Sequence, residues 1–421
     1  MEKFSGTYSA IMPGNQGVIL TQDAAFINYV LKENHTNYHK SEFTADRAGA
    51  LFGKGLLFSN GEYWLKQRRL IQPGFHQKKL QDLFERMVNT IQDFLKTFPG
   101  GNNVDVYPVV YKLSFDIIVR SLFDIPLSPD TMSLLSGAFS DLQDFLIKDV
   151  NQPFRKSFYP VTRADKVAFG KAKKIRDIFK DIVDRRRSDE LPHNDLLDML
   201  LATRYEDTGL PMTDEQIIDE ILILIFAGHE TTANTLSWLL YLLATRRDVV
   251  ERLRVSFDRL SVYDSPKDEY LAAVINEGMR MYPPAWMTDR VTLQDDRFGS
   301  YRYPGGTIII LFFYGLHRHK DYWEDPSAFR PDRFLGDKRA KHFFPFGAGP
   351  RMCIGNNFAM AEMSFFLYSF LKDFEVVPTG KAVRMKALMT LRPGHVFLNI
   401  TRRPPPDPLQ LCHHAQVSHG R

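Results

Sequence analysis

The ten residues at positions 346–355, FGAGPRMCIG, are the most informative part of this chain. They place Cys353 between a glycine-rich loop and an apolar segment, residues 354–371, that is predicted to be a helix. Free amide groups and the dipole at the start of a helix favour a thiolate over a thiol. Cys353 is therefore a candidate ligand for a soft or borderline metal ion.

A plainer interpretation of Cys353 is a small buried hydrophobic residue, the usual role of a free cysteine. Zinc is excluded because the only other cysteine lies in the C-terminal tail. The surroundings favour a ligand. Gly347, Gly349 and Gly355 let the backbone pass close to a flat group, and Arg351 supplies a cation two residues before the sulfur.

The pattern Phe-x-x-Gly-x-Arg-x-Cys-x-Gly in this stretch resembles the haem-binding loop of the cytochrome P450 family. The resemblance extends over residues 53–371 and implies the cofactor haem b, iron-protoporphyrin IX. It implies that Cys353 is the metal ligand, on the proximal side of the haem. It also assigns cofactor contacts to the neighbouring loop residues Phe346, Gly347, Arg351 and Gly355.

The charge balance of the chain is close to neutral. There are 54 Lys and Arg against 50 Asp and Glu, a net charge of +4, which gives no argument for nucleic-acid binding. Basic residues do cluster near the motifs, either as a solvated face or as a docking patch for an acidic electron donor. These residues are Lys66, Arg68, Arg69, Lys78, Lys79, Lys338, Arg339 and Lys341.

Two cysteines exclude a disulfide scaffold and suit a reducing compartment. The sequence contains no signal peptide and no apolar run of the ~20 residues that a membrane-spanning helix needs. We therefore expect a cytoplasmic protein without an integral membrane segment.

The order of patterns predicts a mainly α (α+β) fold, a helix-rich single domain with small β-sheets over residues 1–402. A hairpin is expected near residues 8–21, helices over 105–244, and short strands near 291, 307, 383 and 396. The resemblance implies the P450 fold with a shortened N-terminal entry. The haem would lie between a long distal helix and the helix after Cys353. Residues 403–421 are expected to be a disordered tail, in which Cys412-His413-His414 is either a metal site or simply part of that mobile tail.

A capping box at Thr213-Asp-Glu-Gln216 opens a predicted helix of about thirty residues that contains Ala227-Gly-His-Glu-Thr-Thr232. Polar residues within an apolar helix indicate either a face turned to water or a local opening of the helix. The segment resembles the oxygen-activation segment of the family. The resemblance implies that Thr231 hydrogen-bonds dioxygen or an ordered water and that Glu230 relays protons, as the two catalytic residues.

Two further groups of residues match family elements. Glu277 and Arg280, three apart on one helix, resemble the Glu-x-x-Arg element, and Arg333 would complete a buried structural cluster that supports the Cys353 loop. For the two haem propionates, the resemblance implies cations, and it gives Trp64 as a further cofactor contact in the Trp-x-x-x-Arg element. The candidates are Trp64, Arg68, Arg290 and Arg351.

The function predicted from these motifs is a haem-thiolate monooxygenase that uses O2 to hydroxylate a lipophilic substrate, a fatty acid or a terpenoid or carotenoid-like molecule. With no reductase domain in the sequence, electrons are expected from a separate ferredoxin or flavoprotein. Two alternatives remain, a peroxide-using enzyme and a haem-binding sensor without turnover; the Glu230-Thr231 pair argues against both. Segments 45–58 and 139–159 are expected to line the substrate pocket with five named residues: Ile223, Ala227, Ala285, Trp286 and Met287.

Overall fold

Helices form most of the described part of the chain, which in this computed structural model comprises residues 6–12, 16–124, 127–189, 191–336 and 341–404. The helices are α1 (Ala24–Asn28), α2 (Glu42–Phe52), α3 (Gly61–Ile71), α4 (Gln77–Thr97), α5 (Val106–Phe123), α6 (Pro129–Asn151), α7 (Tyr159–Thr162), α8 (Ala164–Ser188), α9 (Leu196–Ala202), α10 (Asp214–Ala244), α11 (Arg247–Phe257), α12 (Glu269–Met281), α13 (Phe313–Leu316) and α14 (Asn356–Asp373). The prediction of a mainly helical fold is confirmed.

The strands are short and lie at the edge of the helical body. They are β1 (Thr7–Met12), β2 (Gln16–Thr21), β3 (Tyr38–His39), β4 (Gly101–Asp105), β5 (Thr288–Thr292), β6 (Asp296–Phe298), β7 (Tyr301–Tyr303), β8 (Ile308–Leu311), β9 (Phe374–Pro378), β10 (Met385–Ala387), β11 (Leu391–Pro393) and β12 (Phe397–Arg402). The largest sheet has the order β1-β2-β8-β5-β3, in which only the β2–β8 pair is parallel. A second sheet has the order β4-β12-β9.

The long helix α10 is the centre of the main core. Its 31 residues start at the predicted capping box, where the side chains of Thr213 and Gln216 each accept a backbone N–H of the other residue. Almost every side chain from Ile217 to Leu243 is buried, because α5, α8, α12 and α14 surround the helix. This surrounding explains why α10 is apolar on all sides rather than on one stripe.

The loop that carries Cys353 lies between this core and a smaller one. The smaller cluster packs β2 and β8 against α1 through residues such as Phe26, Ile309 and Leu311. The π-helical turn Tyr29–Glu33 that follows α1 contacts the 3-10 turn Gly349–Arg351, just before Cys353.

Several sequence expectations fall wholly or partly outside the described residues. The tip of the β1–β2 hairpin, residues 13–15, is one, and the C-terminal segment from residue 405, with Cys412, is another. Among the described helices, none is both long enough and apolar enough to cross a lipid bilayer.

Candidate functional site

A cavity of about 330 Å³ lies between α10 and the Cys353 loop. Most of the residues proposed from sequence for the cofactor and the substrate line it. They are Trp64, Arg68, Ile223, Ala227, Thr231, Ala285, Arg290, Phe346, Gly347, Arg351, Cys353 and Gly355. Residues separated by almost 300 positions in sequence therefore share one cavity of the size usual for a ligand site.

Cys353 reaches this cavity from a tight loop that precedes α14. Its backbone N–H donates to the carbonyl of Phe346 at 2.9 Å, which closes the loop back on itself. The side chain is accessible, but it opens into the cavity and is enclosed by protein on its other sides. Burial raises the pKa of the Cys353 thiol, although the Gly355 N–H and Arg68 act in the opposite direction. The helix start therefore does not by itself produce the thiolate that the sequence suggests.

Gly349 shows why the loop needs glycine. Its φ is +68°, and a Cβ at this position would lie 1.9 Å from the carbonyl oxygen of Leu31. No other residue fits without moving the turn that follows α1.

Thr231 lies on the α10 side of the cavity. Its hydroxyl donates to the carbonyl oxygens of Ala227 at 2.8 Å and Gly228 at 3.2 Å. The helix is continuous through this segment, so the opening considered from the sequence is absent from the described α10. Back-bonding of this kind is the usual way in which a helix satisfies a threonine hydroxyl.

Glu230 is buried but does not line the cavity. The hydroxyl of Thr390, in the turn between β10 and β11, donates to Oε1 of Glu230 at 2.9 Å, and Asn234 donates to the same hydroxyl. Burial raises the pKa of Glu230, more than Thr390 and Arg392 lower it. His229, in the same segment of α10, is buried and faces the Ile225 carbonyl through Nδ1 at 2.6 Å.

Three cations meet at one end of the cavity. Arg290 and Arg351 were expected there from sequence; Lys40 was not. Burial, with the nearby Arg290 and Arg351, lowers the pKa of Lys40 to about 7, and burial with Arg290 lowers that of Arg351 to about 9. Asp289 offsets only part of this charge. An excess of buried positive charge of this kind favours a bound anion.

Trp64 and Arg68 support the same region in a different way. The guanidinium of Arg351 lies over the ring of Trp64, 4.1 Å from its centroid. Arg68 donates to the carbonyl of Met352 at 2.8 Å and so holds the residue before Cys353. Both residues line the cavity. In addition, Trp64 stacks against Arg351, and Arg68 binds the backbone of the Cys353 loop.

The structure brings Glu277, Arg280 and Arg333 together where α12 meets the 3-10 turn Pro331–Phe334. The side chains of Glu277 and Arg280 are fully buried, with N–O distances of 2.7 and 2.9 Å between them. Nε of Arg333 lies 3.4 Å from Oε1 of Glu277. Arg280 also donates to the carbonyls of three loop residues, namely His317, Pro326 and Ala328.

Two of the proposed substrate-pocket residues lie elsewhere. Trp286 donates its indole N–H to Leu388 at 2.9 Å, and Met287 is 41% exposed; neither lines the cavity. The segment 139–159 is absent from the described lining as well, since Phe139 packs against Phe52 in the core. Leu56 and Leu57, from the expected segment 45–58, do line the cavity, and so do Ile118 and Leu122 of α5. Residues of α5 carry no motif that sequence reasoning could have used.

The basic surface is less positive than its composition suggests. Lys66 forms ion pairs with Asp207 at 2.7 Å and Glu62 at 3.5 Å, and Arg69 lies 3.8 Å from Glu206. Lys79 and Lys341 are exposed, whereas Lys338, Arg339 and the side chain of Lys78 lie outside the described residues.

Comparison with known proteins assigns these features to one family. The profile described as Cytochrome P450 matches residues 1–399. Among curated relatives, the pentalenene oxygenase of Streptomyces avermitilis is 30% identical over 88% of this chain and 85% of its own length. The cyclooctat-9-en-7-ol 5-monooxygenase of Streptomyces melanosporofaciens is 29% identical over 79% of this chain and 75% of its own.

Solved structures share the fold. The crystal structure of the cytochrome P450DA heme domain superposes with a TM-score of 0.86 at 23% identity, covering 95% of this chain and 90% of the other. The retinoic acid bound cyanobacterial CYP120A1 superposes with a TM-score of 0.83 at 24% identity, covering 96% and 93%.

Proposed function

Because the chain belongs to the cytochrome P450 family, whose members are haem-thiolate monooxygenases, we propose that Cys353 binds the iron of haem b and that the enzyme hydroxylates a lipophilic substrate. The observation that carries this proposal is the single cavity onto which the Cys353 thiol, the Thr231 hydroxyl and three cations open.

The residues around the cavity fit this cofactor. Haem has an iron that accepts a thiolate and two carboxylates that need cations. Cys353 lines the cavity that Arg290, Arg351 and Lys40 also line, and these cations have little acidic compensation. Lys40 therefore joins the two arginines as a proposed propionate-binding residue.

When bound, haem supplies the activation of dioxygen and the transfer of one oxygen atom to a C–H bond. The chain supplies the environment for that chemistry. The Gly355 N–H and Arg68 lie beside the sulfur of Cys353 and favour its thiolate form. Ile223, Leu224 and Ala227 exclude water from the α10 side through their apolar side chains.

Proton supply is assigned to Glu230 and Thr231. The Thr231 hydroxyl lies on the cavity side, and its single proton has to leave the Ala227 carbonyl before it can be donated to a group in the cavity. Glu230 lies on the Thr390 side, where burial raises its pKa and favours uptake of a proton. Rotation of the Glu230 side chain about its own torsions would connect the two.

Electrons are proposed to come from a separate ferredoxin or flavoprotein. The exposed Lys79 and Lys341 support an acidic partner, while the ion pairs of Lys66 and Arg69 reduce that support. For the substrate we propose a fatty acid or a terpenoid or carotenoid-like molecule. The apolar wall supports this class, and so do the two relatives whose names specify pentalenene and cyclooctat-9-en-7-ol.

The carbon monoxide difference spectrum of the reduced protein tests the proposal. A thiolate-ligated haem gives a strongly red-shifted band, which we expect for the purified chain and which Cys353→Ser should abolish. A haem protein that lacks the band when freshly prepared would overturn the assignment of Cys353. Turnover with reduced ferredoxin and O2, compared with peroxide alone, then separates the monooxygenase from a peroxide-using enzyme.

A further inference from the structure

The segment Gly53–Leu57, which we call the strap, contributes two residues to the wall of the cavity. It begins at the end of α2, where the Gly53 N–H donates to the carbonyl of Gly49 at 2.8 Å, and leads into the residues before α3. Lys54 is exposed, whereas Leu56, two residues later, is buried and lines the cavity together with Leu57. Whatever holds the strap in place therefore also closes this side of the cavity.

Two adjacent carboxylates of α10 hold the strap through its backbone. The Lys54 N–H donates to Oδ2 of Asp219 at 2.8 Å, and the Leu56 N–H donates to Oε2 of Glu220 at 2.9 Å. A charge-assisted hydrogen bond to Asp219 is stronger than a neutral one. Burial raises the pKa of Glu220 to about 8, so near pH 7 the Leu56 N–H meets a largely neutral carboxyl. A third bond holds the end of the strap, where Nζ of Lys40 donates to the carbonyl of Leu57 at 2.6 Å.

Glycine makes this contact possible. Gly53 has φ +93°, and a Cβ there would lie 2.2 Å from Oδ1 of Asp219. A Cβ on Gly55 would lie 2.8 Å from Oε2 of Glu220. The backbone of the strap thus rests directly on the two carboxylates, which a side chain at either position would prevent.

A third element joins the same carboxylate. Nη1 of Arg176, on α8, lies 2.6 Å from Oδ1 of Asp219, whose other oxygen accepts the Lys54 N–H. Asp219 therefore connects α8, α10 and the strap. The Arg176 side chain is 28% exposed and that of Asp219 12%, while Ile223, one helical turn from Asp219, lines the cavity. The ion pair lies at the boundary between solvent and the cavity.

We propose that Arg176 and Asp219 form a clamp that keeps the strap closed, and that the clamp opens when a lipophilic molecule enters or leaves the cavity. The identity of that molecule rests on the proposed function; the clamp itself does not. The guanidinium can swing into solvent because it is already partly exposed, whereas the strap, once released, exposes Leu56 and Leu57. Arg176 and Asp219 are positioning residues in this scheme, and neither touches the reacting groups.

The test compares two charge-removing variants on the same helix. Arg176→Met removes one arm of the clamp. Arg187→Met is the matched control, because Arg187 also joins α8 to α10, through a 2.6 Å contact with Asp214 between side chains that are 42% and 43% exposed. Asp219→Asn provides a second clamp variant that keeps an oxygen for the Lys54 N–H.

Two measurements on the holoprotein decide the matter. Hydrogen exchange of the amides in 53–57 should become about tenfold faster in Arg176→Met, the loss expected for one charge-assisted bond near the surface, and stay unchanged in Arg187→Met. In stopped-flow experiments the bulky azole clotrimazole should both bind and dissociate faster in the clamp variants than in the parent. The two rates for the small ligand imidazole should stay the same.

Equal exchange in the two arginine variants overturns the clamp. Faster exchange without faster clotrimazole binding overturns its role in entry. The exchange comparison needs no thiolate-ligated haem, so a failed carbon monoxide test would remove the proposed function and leave the exchange result standing.

Discussion

Glu277→Gln is expected to be among the most damaging conservative substitutions in this chain. The change keeps the shape of the side chain but removes a charge that faces a fully buried guanidinium at 2.7 and 2.9 Å. Arg280 would retain its three carbonyl acceptors, whereas the amide N–H₂ of glutamine would face a group that only donates. The backbone N–H of Arg330, 2.8 Å from Oε1, is a further donor that depends on this carboxylate.

The expected loss in the free energy of unfolding is ~3–5 kcal/mol, the usual cost of removing one partner of a buried pair. The matched control is Asp332→Asn. Asp332 lies beside Arg333 in the 3-10 turn Pro331–Phe334, and its 2.8 Å pair with Arg252 is solvent-exposed, so the loss should stay below ~1 kcal/mol.

Urea unfolding of the holoprotein, followed by tryptophan fluorescence and haem absorbance, measures both losses. The double variant Glu277→Gln/Arg280→Met should lose less than the sum of its parts, because the second change removes the unpaired charge. If Glu277→Gln proved no worse than Asp332→Asn, the buried-charge argument would be refuted.

Thr231→Ala should uncouple electron use from product formation, measured as peroxide released per electron consumed; full coupling would contradict the proton-delivery role. Thr390→Val should uncouple in the same direction but less, since it removes only the hydroxyl that contacts Glu230. Glu220→Gln and Glu362→Gln should stabilise the protein at pH 8, because burial raises both pKa values to about 8. A raised carboxyl pKa makes the folded state bind more protons than the unfolded state. The free energy of unfolding of the parent therefore falls as pH rises from about 4.5 to 8, by up to ~3 kcal/mol per group at pH 7. If urea unfolding gave parent and variants the same change of this free energy with pH, the argument would be contradicted. Lys40→Met should weaken haem retention about tenfold, measured by transfer to apomyoglobin, if its ammonium pairs with a propionate.

Sequence reasoning worked where a short pattern controls local geometry. The loop around Cys353 needs glycine at a positive φ, and the start of α10 needs the capping pair Thr213 and Gln216, so both could be located without a structure. It did not work where a residue reaches the cavity through tertiary packing alone. Lys40 follows a two-residue strand and carries no motif, and Trp286 turns toward the backbone of Leu388 although it adjoins the lining residue Ala285.

The adjacent residues Glu230 and Thr231 show why neighbours in a motif can have different surroundings. Successive side chains on an α-helix point about 100° apart, because a turn takes 3.6 residues. Thr231 therefore faces the cavity while Glu230 faces Thr390. In the proposed mechanism this divergence is useful. A carboxyl exposed to the cavity would lie against the bound cofactor and substrate, where its charge would be costly, whereas one turned away can exchange protons on the Thr390 side first. The two residues then act on different faces of one helix, and substitution of either residue should slow proton supply without moving the other.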